Sequence, residues 1–106
     1  MSPKEKLEYV MDLCATLNEE VVSCEGFDDC IMGIAVGQHN KAVLVYDRDR
    51  IIQKLMFKDG MSRDEAIEFF EFNISGAFVG DSTPLYVTSI KTIFDHVERI
   101  EYDEEA

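Results

Sequence analysis

Two short apolar runs joined by a polar segment constrain the fold of this chain most. Cys30–Val36 and Lys41–Tyr46 have the length of strands and are rich in residues that favour strands. Gly37-Gln-His-Asn40 lies between them and has turn chemistry, because glycine and asparagine tolerate positive φ. The pattern predicts a β-hairpin. The near-continuous apolarity of both runs indicates strands that are buried on both faces.

A helix is predicted before the hairpin. Ser2 can cap its N-terminus, Pro3 suits its first position, and Glu5 completes a capping box. The helix is expected to run from Pro3 to about Glu20. Its apolar stripe consists of Leu7, Val10, Met11, Cys14 and Leu17.

A second helix is predicted directly after the hairpin. Asp49 is expected to cap its N-terminus while Asp47 pairs with Arg50, and Gly60 suits the position just after its C-terminus. The apolar face consists of Ile51, Ile52, Leu55 and Met56.

A third helix should follow after a tight turn at residues 58–61. Ser62 and Glu65 form its capping box, and Gly76 is expected to end it. Its apolar stripe consists of Ala66, Ile67, Phe70 and Ile74, with Phe69 and Phe72 widening it.

The last quarter of the chain is less regular. Leu85–Val87 reads as a short third strand after a loop, and Ile90, Ile93 and Phe94 return to helical spacing. Residues 96–102 suit either a helix or an edge strand, and the acidic tail 103–106 is expected to fray. The sequence therefore predicts one acidic α+β domain of residues 1–106. Its small sheet of about three strands, a hairpin plus one short strand, packs against three or four helices.

Charge is the most unusual property of the composition. The chain has 10 basic and 22 acidic residues, which leaves a formal net charge of −12. Direct binding to nucleic acid or to an anionic membrane through a general basic surface is therefore not expected. The charge is uneven, because residues 41–60 carry five basic and three acidic residues. Whether the basic segment 41–58 binds an anion stays open.

Carboxylates recur at helical spacing on two of the predicted helices. Neighbours in such rows lie about 5–6 Å apart, close to the spacing of phosphates along a nucleic-acid strand. The rows can occupy a basic groove on another protein, and the alternative is an ordinary solvated helix face. The candidate partner-binding carboxylates are Glu5, Glu8 and Asp12 on the first helix and Asp64, Glu68 and Glu71 on the third.

No residues are expected to form a catalytic, cofactor or metal site. Asp47-Arg-Asp49 could ligate a cation, but two arginines neutralise it, and capping is the preferred interpretation. Ser82 in Gly80-Asp-Ser82 is interpreted as a turn residue. The three cysteines are too widely spaced for a zinc site and are expected to be free thiols.

The compartment is expected to be a reducing cytoplasm. The N-terminal residues are polar and mixed in charge, unlike a signal peptide, and the chain has no apolar run of about 18 residues that could cross a membrane.

One block has a specific resemblance. Asp59–Pro84, with the sequence DGMSRDEAIEFFEFNISGAFVGDSTP, resembles a block of small, mostly uncharacterised proteins encoded by bacteriophages. The resemblance covers about residues 28–87 and implies a viral origin and a bacterial cytoplasm, but no activity. Within the block, Met61 and Phe72 are interpreted as packing residues, and Asn73 is expected to bond the turn at residues 76–80. Exposure of Phe69 or Phe78 would indicate a partner-binding surface.

These observations favour a non-enzymatic, phage-type protein that binds and modulates a host protein through acidic helix faces, with inhibition as the expected mode. The partner, from the host or the phage, would carry a basic surface, as a defence or nucleic-acid enzyme does. Two alternatives stay open, namely a self-associating accessory protein and a small metal- or nucleotide-binding enzyme.

Overall fold

The structure, a computed structural model, describes residues 1–95 and has an α+β fold. Helix α1 (Pro3–Leu17) precedes the strands β1 (Ile31–Val36) and β2 (Ala42–Asp47). Two helices, α2 (Arg48–Asp59) and α3 (Arg63–Phe69), then lead to strand β3 (Leu85–Val87). A further helix, α4, begins at residue 90 and is described to residue 95. The predicted class, with a hairpin plus one short strand against helices, is confirmed.

The three strands form a mixed sheet in the order β1-β2-β3. The predicted hairpin is confirmed, because β1 pairs with β2 in antiparallel orientation, with Ala35 opposite Val43. The chain crosses over through α2 and α3, so β3 pairs with β2 in parallel orientation, with Tyr86 opposite Tyr46. The central strand β2 is therefore flanked on both sides, whereas β1 and β3 are edges.

The start of β1 and the hairpin turn differ in detail from the prediction. Residues Asp28–Cys30 form a 3₁₀ turn, so the strand begins at Ile31 and not at Cys30. In the turn the positive φ angles fall on His39 and Asn40, at 55° and 60°. Burial on both faces holds for much of β2 but not for β1, where Met32 and Val36 are exposed, because β1 is an edge.

Helix α1 has the predicted capping box. The Ser2 hydroxyl accepts from the Glu5 amide and the Glu5 carboxylate accepts from the Ser2 amide. The helix ends at Leu17, not near Glu20 as predicted, because the Asn18 side chain leaves the helix and is buried. Leu17 was also predicted in the buried stripe, but the early end of the helix leaves it exposed.

Helices α2 and α3 form the predicted helix–turn–helix pair. The N-cap of α2 is Asp47 and not Asp49, because Asp47 accepts from the backbone amide of Arg50 at 3.2 Å. Gly60 ends α2 in the left-handed conformation, with φ 66°, as its position predicts. Ser62 and Glu65 form the second predicted capping box.

Beyond α3 the helix changes its winding. Residues Phe70–Ser75 form a π-helix that ends at Gly76, where the sequence predicts a continuous α-helix. Any other residue at position 76 would place its Cβ 2.5 Å from the backbone oxygen of Glu71, so the end of the π-helix can take this conformation only with glycine at that position. The prediction that Asn73 bonds the turn at residues 76–80 is wrong, because its side-chain amide donates to the Phe69 carbonyl within the helix.

The core lies between one face of the sheet and the helices. Leu44 and Tyr46 of β2 are fully buried against Cys14 of α1, and fully burying a large apolar side chain contributes about 1.5–3 kcal/mol. The other buried members are Cys30, Ala42, Ile51, Ile52, Leu55, Ala66 and Phe70. The predicted apolar face of α2 is thus confirmed.

The last predicted elements are described only in part. Residues 90–95 are helical as predicted, but Ile90, Ile93 and Phe94 are all exposed. The choice between helix and strand at 96–102 and the fraying of 103–106 concern residues outside the described ones.

Candidate protein-interaction surface

The third helix and its π-helical extension carry a groove with an acidic and aromatic lining. The groove has a volume of about 400 Å³ and is lined by Met61, Glu65, Glu68, Phe69, Phe72 and Asn73. Ala66 and Phe70 are buried in the core, so the opposite side of the helix faces solvent. The helical part of the groove is therefore held by a buried anchor, and Met61 is contributed by the turn before α3.

The exposure of Phe72 differs from the prediction. The sequence predicts that Phe72 packs in the core, but its side chain is 76% exposed. Phe72 follows Phe70 by two positions, which is about 200° around the regular α-helix that the sequence predicts, with 3.6 residues per turn. Since Phe70 is buried, that spacing alone points Phe72 away from the core.

The candidate carboxylates lie on α3 and on its π-helical extension. Asp64 and Glu68 of α3 and Glu71 of the extension are all exposed, and of the three Glu68 lines the groove beside Phe69 and Phe72. Glu71 already has a partner within the chain, because its carboxylate lies 4.0 Å from the Arg48 guanidinium.

The second predicted row stands on a different element. Glu5, Glu8 and Asp12 are exposed on α1, which packs against β1 and β2, whereas α3 packs against α2. The structure therefore brings each row together within its own helix. Glu5 is also engaged in the capping box, so its carboxylate serves the helix N-terminus.

Phe78 lies apart from the α3 groove. It is 75% exposed and lines a cavity of about 200 Å³ beside Val43, Leu85 and the 80–84 loop. Phe69 is also exposed, so both aromatic residues singled out in the sequence reach solvent, but they do so on separate surfaces.

The basic segment has most of its charges in ion pairs. Lys41 bonds Glu20 at 2.6 Å, and Lys54 bonds Asp29 at 2.8 Å. The Arg48 guanidinium lies 5.5 Å from the centre of the Phe70 ring as well as near Glu71. These pairs tie the segment to neighbouring elements, which argues against a free anion-binding patch.

A partly buried cluster of polar groups surrounds Cys24. Its thiol lies 3.0 Å from the Tyr86 hydroxyl, and its backbone amide donates to the Tyr46 hydroxyl at 2.8 Å. Burial raises the pKa of the Cys24 thiol, and the hydrogen bonds from the two tyrosines only partly offset this. Burial also raises the pKa of Tyr46 to about 12. The thiol is therefore neutral at pH 7, and the cluster is suited to packing and not to nucleophilic chemistry.

The residues around Ser82 do not form a hydrolase site. His39 bonds Asp81 at 2.6 Å, but the Ser82 hydroxyl accepts from the buried Asn18 amide at 3.0 Å. Among residues 1–95 no group of three or more His, Cys, Asp or Glu side chains is placed to hold a metal ion. Nor does any helix in this described part have the length and apolarity needed to cross a membrane.

Comparisons of the chain with protein-family models, with curated proteins and with solved structures find no match.

Proposed function

We propose that this chain is a non-enzymatic protein that binds a partner protein through the α3 groove and inhibits it. The observation that carries the proposal is the pair of exposed aromatic residues, Phe69 and Phe72, in a groove that Glu65 and Glu68 also line. Exposed aromatic side chains that lie together beside polar ones are typical of an interaction site.

The groove suits a cationic side chain of the partner. An arginine or lysine that enters it can lie over an aromatic ring while its charge meets a carboxylate, and both contacts strengthen as water is excluded. The chain contains the same combination internally, where Arg48 lies over Phe70 and near Glu71. The partner is therefore a protein with a basic surface.

The identity of the partner class rests on the sequence. The resemblance of Asp59–Pro84 to bacteriophage proteins supports a host or phage protein of the bacterial cytoplasm. A host defence or nucleic-acid enzyme has the basic groove that the row Asp64, Glu68 and Glu71 would occupy in place of phosphates. The row Glu5, Glu8 and Asp12 on α1 would supply a second contact.

The test is capture from bacterial lysate by the immobilised chain at low and high salt. Glu68→Lys is compared with Glu19→Lys, which lies in an exposed turn outside the α3 row. Both substitutions change the net charge by the same amount, so general electrostatic attraction is matched. Phe72→Ala tests the aromatic contribution.

We expect a protein that the wild type and Glu19→Lys retain, that high salt releases, and that Glu68→Lys and Phe72→Ala lose. Retention by all variants, or retention that salt does not weaken, would contradict the proposal. A melting temperature that rises with a divalent cation or a nucleotide would favour the small-enzyme interpretation instead.

A further inference from the structure

The free edge of β1 offers unpaired backbone groups. The Gly37 amide donates to the Lys41 carbonyl at 2.7 Å, and Val36, Ala35 and Ile34 pair with successive residues of β2. Hydrogen-bonded pairs alternate with non-bonded pairs in an antiparallel ladder, so Ile34 and Val36 point their N–H and C=O groups away from β2. Within residues 1–95 those groups have no backbone partner beyond the sheet.

The edge also lacks the features that usually protect such strands. The sequence Ile31–Val36 contains no charged residue and no proline. A bulge between Ile31 and Gly33 interrupts only the start of the strand. The rest remains regular, and the Val36 side chain at its end is 70% exposed.

A second uncharged surface lies on the helix that packs against this strand. Tyr9, Leu13 and Leu17 of α1 are exposed and recur at intervals of four residues, so they form one apolar stripe. The acidic row borders this stripe at Tyr9, because Glu5 precedes Tyr9 by four residues and Asp12 follows it by three. Leu13 and Leu17, one and two turns further on, form the part of the stripe that lies away from the row.

We infer that a second copy of this chain pairs its β1 with this β1 in antiparallel orientation. A two-fold axis at Ile34 places Ile34 opposite Ile34 and Val36 opposite Met32, so each pair is apolar and the surface is complementary to itself. This symmetric matching of apolar side chains favours a second copy, and the absence of charge on Ile31–Val36 lets two chains of net charge −12 approach each other at this edge. The product is a continuous sheet of six strands, with α1 of each copy beside the junction.

This dimer is independent of the proposed function, because α3 and its groove are not part of it. It would present two α3 grooves in one particle, and a partner with two basic sites would bind it with avidity.

The test is the molar mass of the full chain in solution, measured by light scattering and sedimentation equilibrium across concentration. The wild type is expected to form a dimer. Val36→Lys is expected to weaken the dimer at least about tenfold, because each interface then holds two ammonium groups at the strand edge. Leu85→Lys is the matched control, since it places the same charge at an exposed position on the opposite edge strand β3. It should leave the dimer intact.

Val36→Pro removes one N–H that points to the open edge and none that bonds β2, so it should also prevent pairing. Circular dichroism of each variant checks that it is folded. Hydrogen exchange of the wild type gives an answer without a variant, because the Ile34 and Val36 amides should become protected as concentration rises. A chain that stays monomeric at high concentration would overturn the inference. So would a dimer that survives Val36→Lys and Val36→Pro, or one that only Leu85→Lys disrupts.

Discussion

The buried side chain of Asn18 supports a quantitative prediction about stability. Its amide donates to the Ala42 carbonyl at 2.9 Å and to the Ser82 hydroxyl at 3.0 Å, and its oxygen accepts from the Glu20 amide at 3.1 Å. Asn18 is thus bonded to the C-terminal side of α1, to the start of β2 and to the loop before β3.

The cost of Asn18→Ala follows from the geometry of Ala42. Ala42 lies opposite Val36 in a non-bonded pair, so its carbonyl points towards the β3 side of the sheet. Strand β3 begins only opposite Val45, so Asn18 takes the place of a strand partner for this carbonyl. An unsatisfied buried carbonyl costs about 1–3 kcal/mol and each lost hydrogen bond about 1 kcal/mol. We expect the free energy of unfolding to fall by about 2–4 kcal/mol.

The assay is urea unfolding followed by far-UV circular dichroism at constant pH and salt. The midpoint of Asn18→Ala should fall by about 1 M urea or more with little change in slope. Thr16→Ala is the matched control, because its hydroxyl donates to the Asp12 carbonyl at 2.9 Å but is exposed. That variant should change stability by less than about 0.5 kcal/mol. Equal midpoints for the two variants would refute the reasoning.

Three further predictions concern the turn after the π-helix, a buried thiol and an ion pair. Gly76→Ala should lower the free energy of unfolding by about 1–3 kcal/mol in the same assay, because its Cβ would meet backbone, whereas Gly33→Ala, with open space around it, should not. Burial, reinforced by the neighbouring carboxylate, raises the pKa of Cys30 from an ordinary value of 9.0 to about 11. The folded state therefore holds this proton more tightly, so the Cys30 contribution to stability should be constant below about pH 9 and fall by about 2 kcal/mol towards pH 11. Cys30→Ala should make the fall of stability with pH smaller, while the partly buried Cys24 and the buried Tyr46 still contribute to it. Lys54→Met should lower the free energy of unfolding by about 0.5–1 kcal/mol at pH 7, because Lys54 bonds Asp29 and lowers the pKa of that carboxyl. The difference in stability between this variant and the wild type should shrink below about pH 4, as Asp29 becomes protonated. Urea unfolding of wild type and variants, measured at a series of pH values, checks the Cys30 and Lys54 predictions.

Local signals in the sequence predicted the ends of most elements. The capping boxes at Ser2 and Ser62, and the left-handed Gly60, depend on residues within about four positions of each other. The end of α1 is a place where such signals failed because the partners are distant. Helix α1 ends early because Asn18 bonds Ala42 and the 80–84 loop, which lie far along the chain.

The candidate surface was predicted only in part. The carboxylates of α3 were found from their spacing, because charged side chains on an amphipathic helix face water wherever the helix docks. The sequence fits Phe69 both to the apolar stripe and to a partner contact, and it does not decide between the two. The hydrophobicity of Phe72 predicts packing, whereas its angle from the buried Phe70 predicts exposure, and the structure has Phe72 exposed.

The sequence by itself determined the α+β class, the hairpin, the paired helices and the separation of acidic rows from apolar stripes. These follow from periodicity and from capping, which act over one or two turns of helix or across one hairpin. Only the tertiary structure decided that β3 pairs in parallel with β2, that Asn18 is buried, that α3 continues as a π-helix and that Phe72 faces solvent beside Glu68. The reason is that burial and hydrogen bonding at those positions depend on where separate elements dock, which nearby residues do not specify.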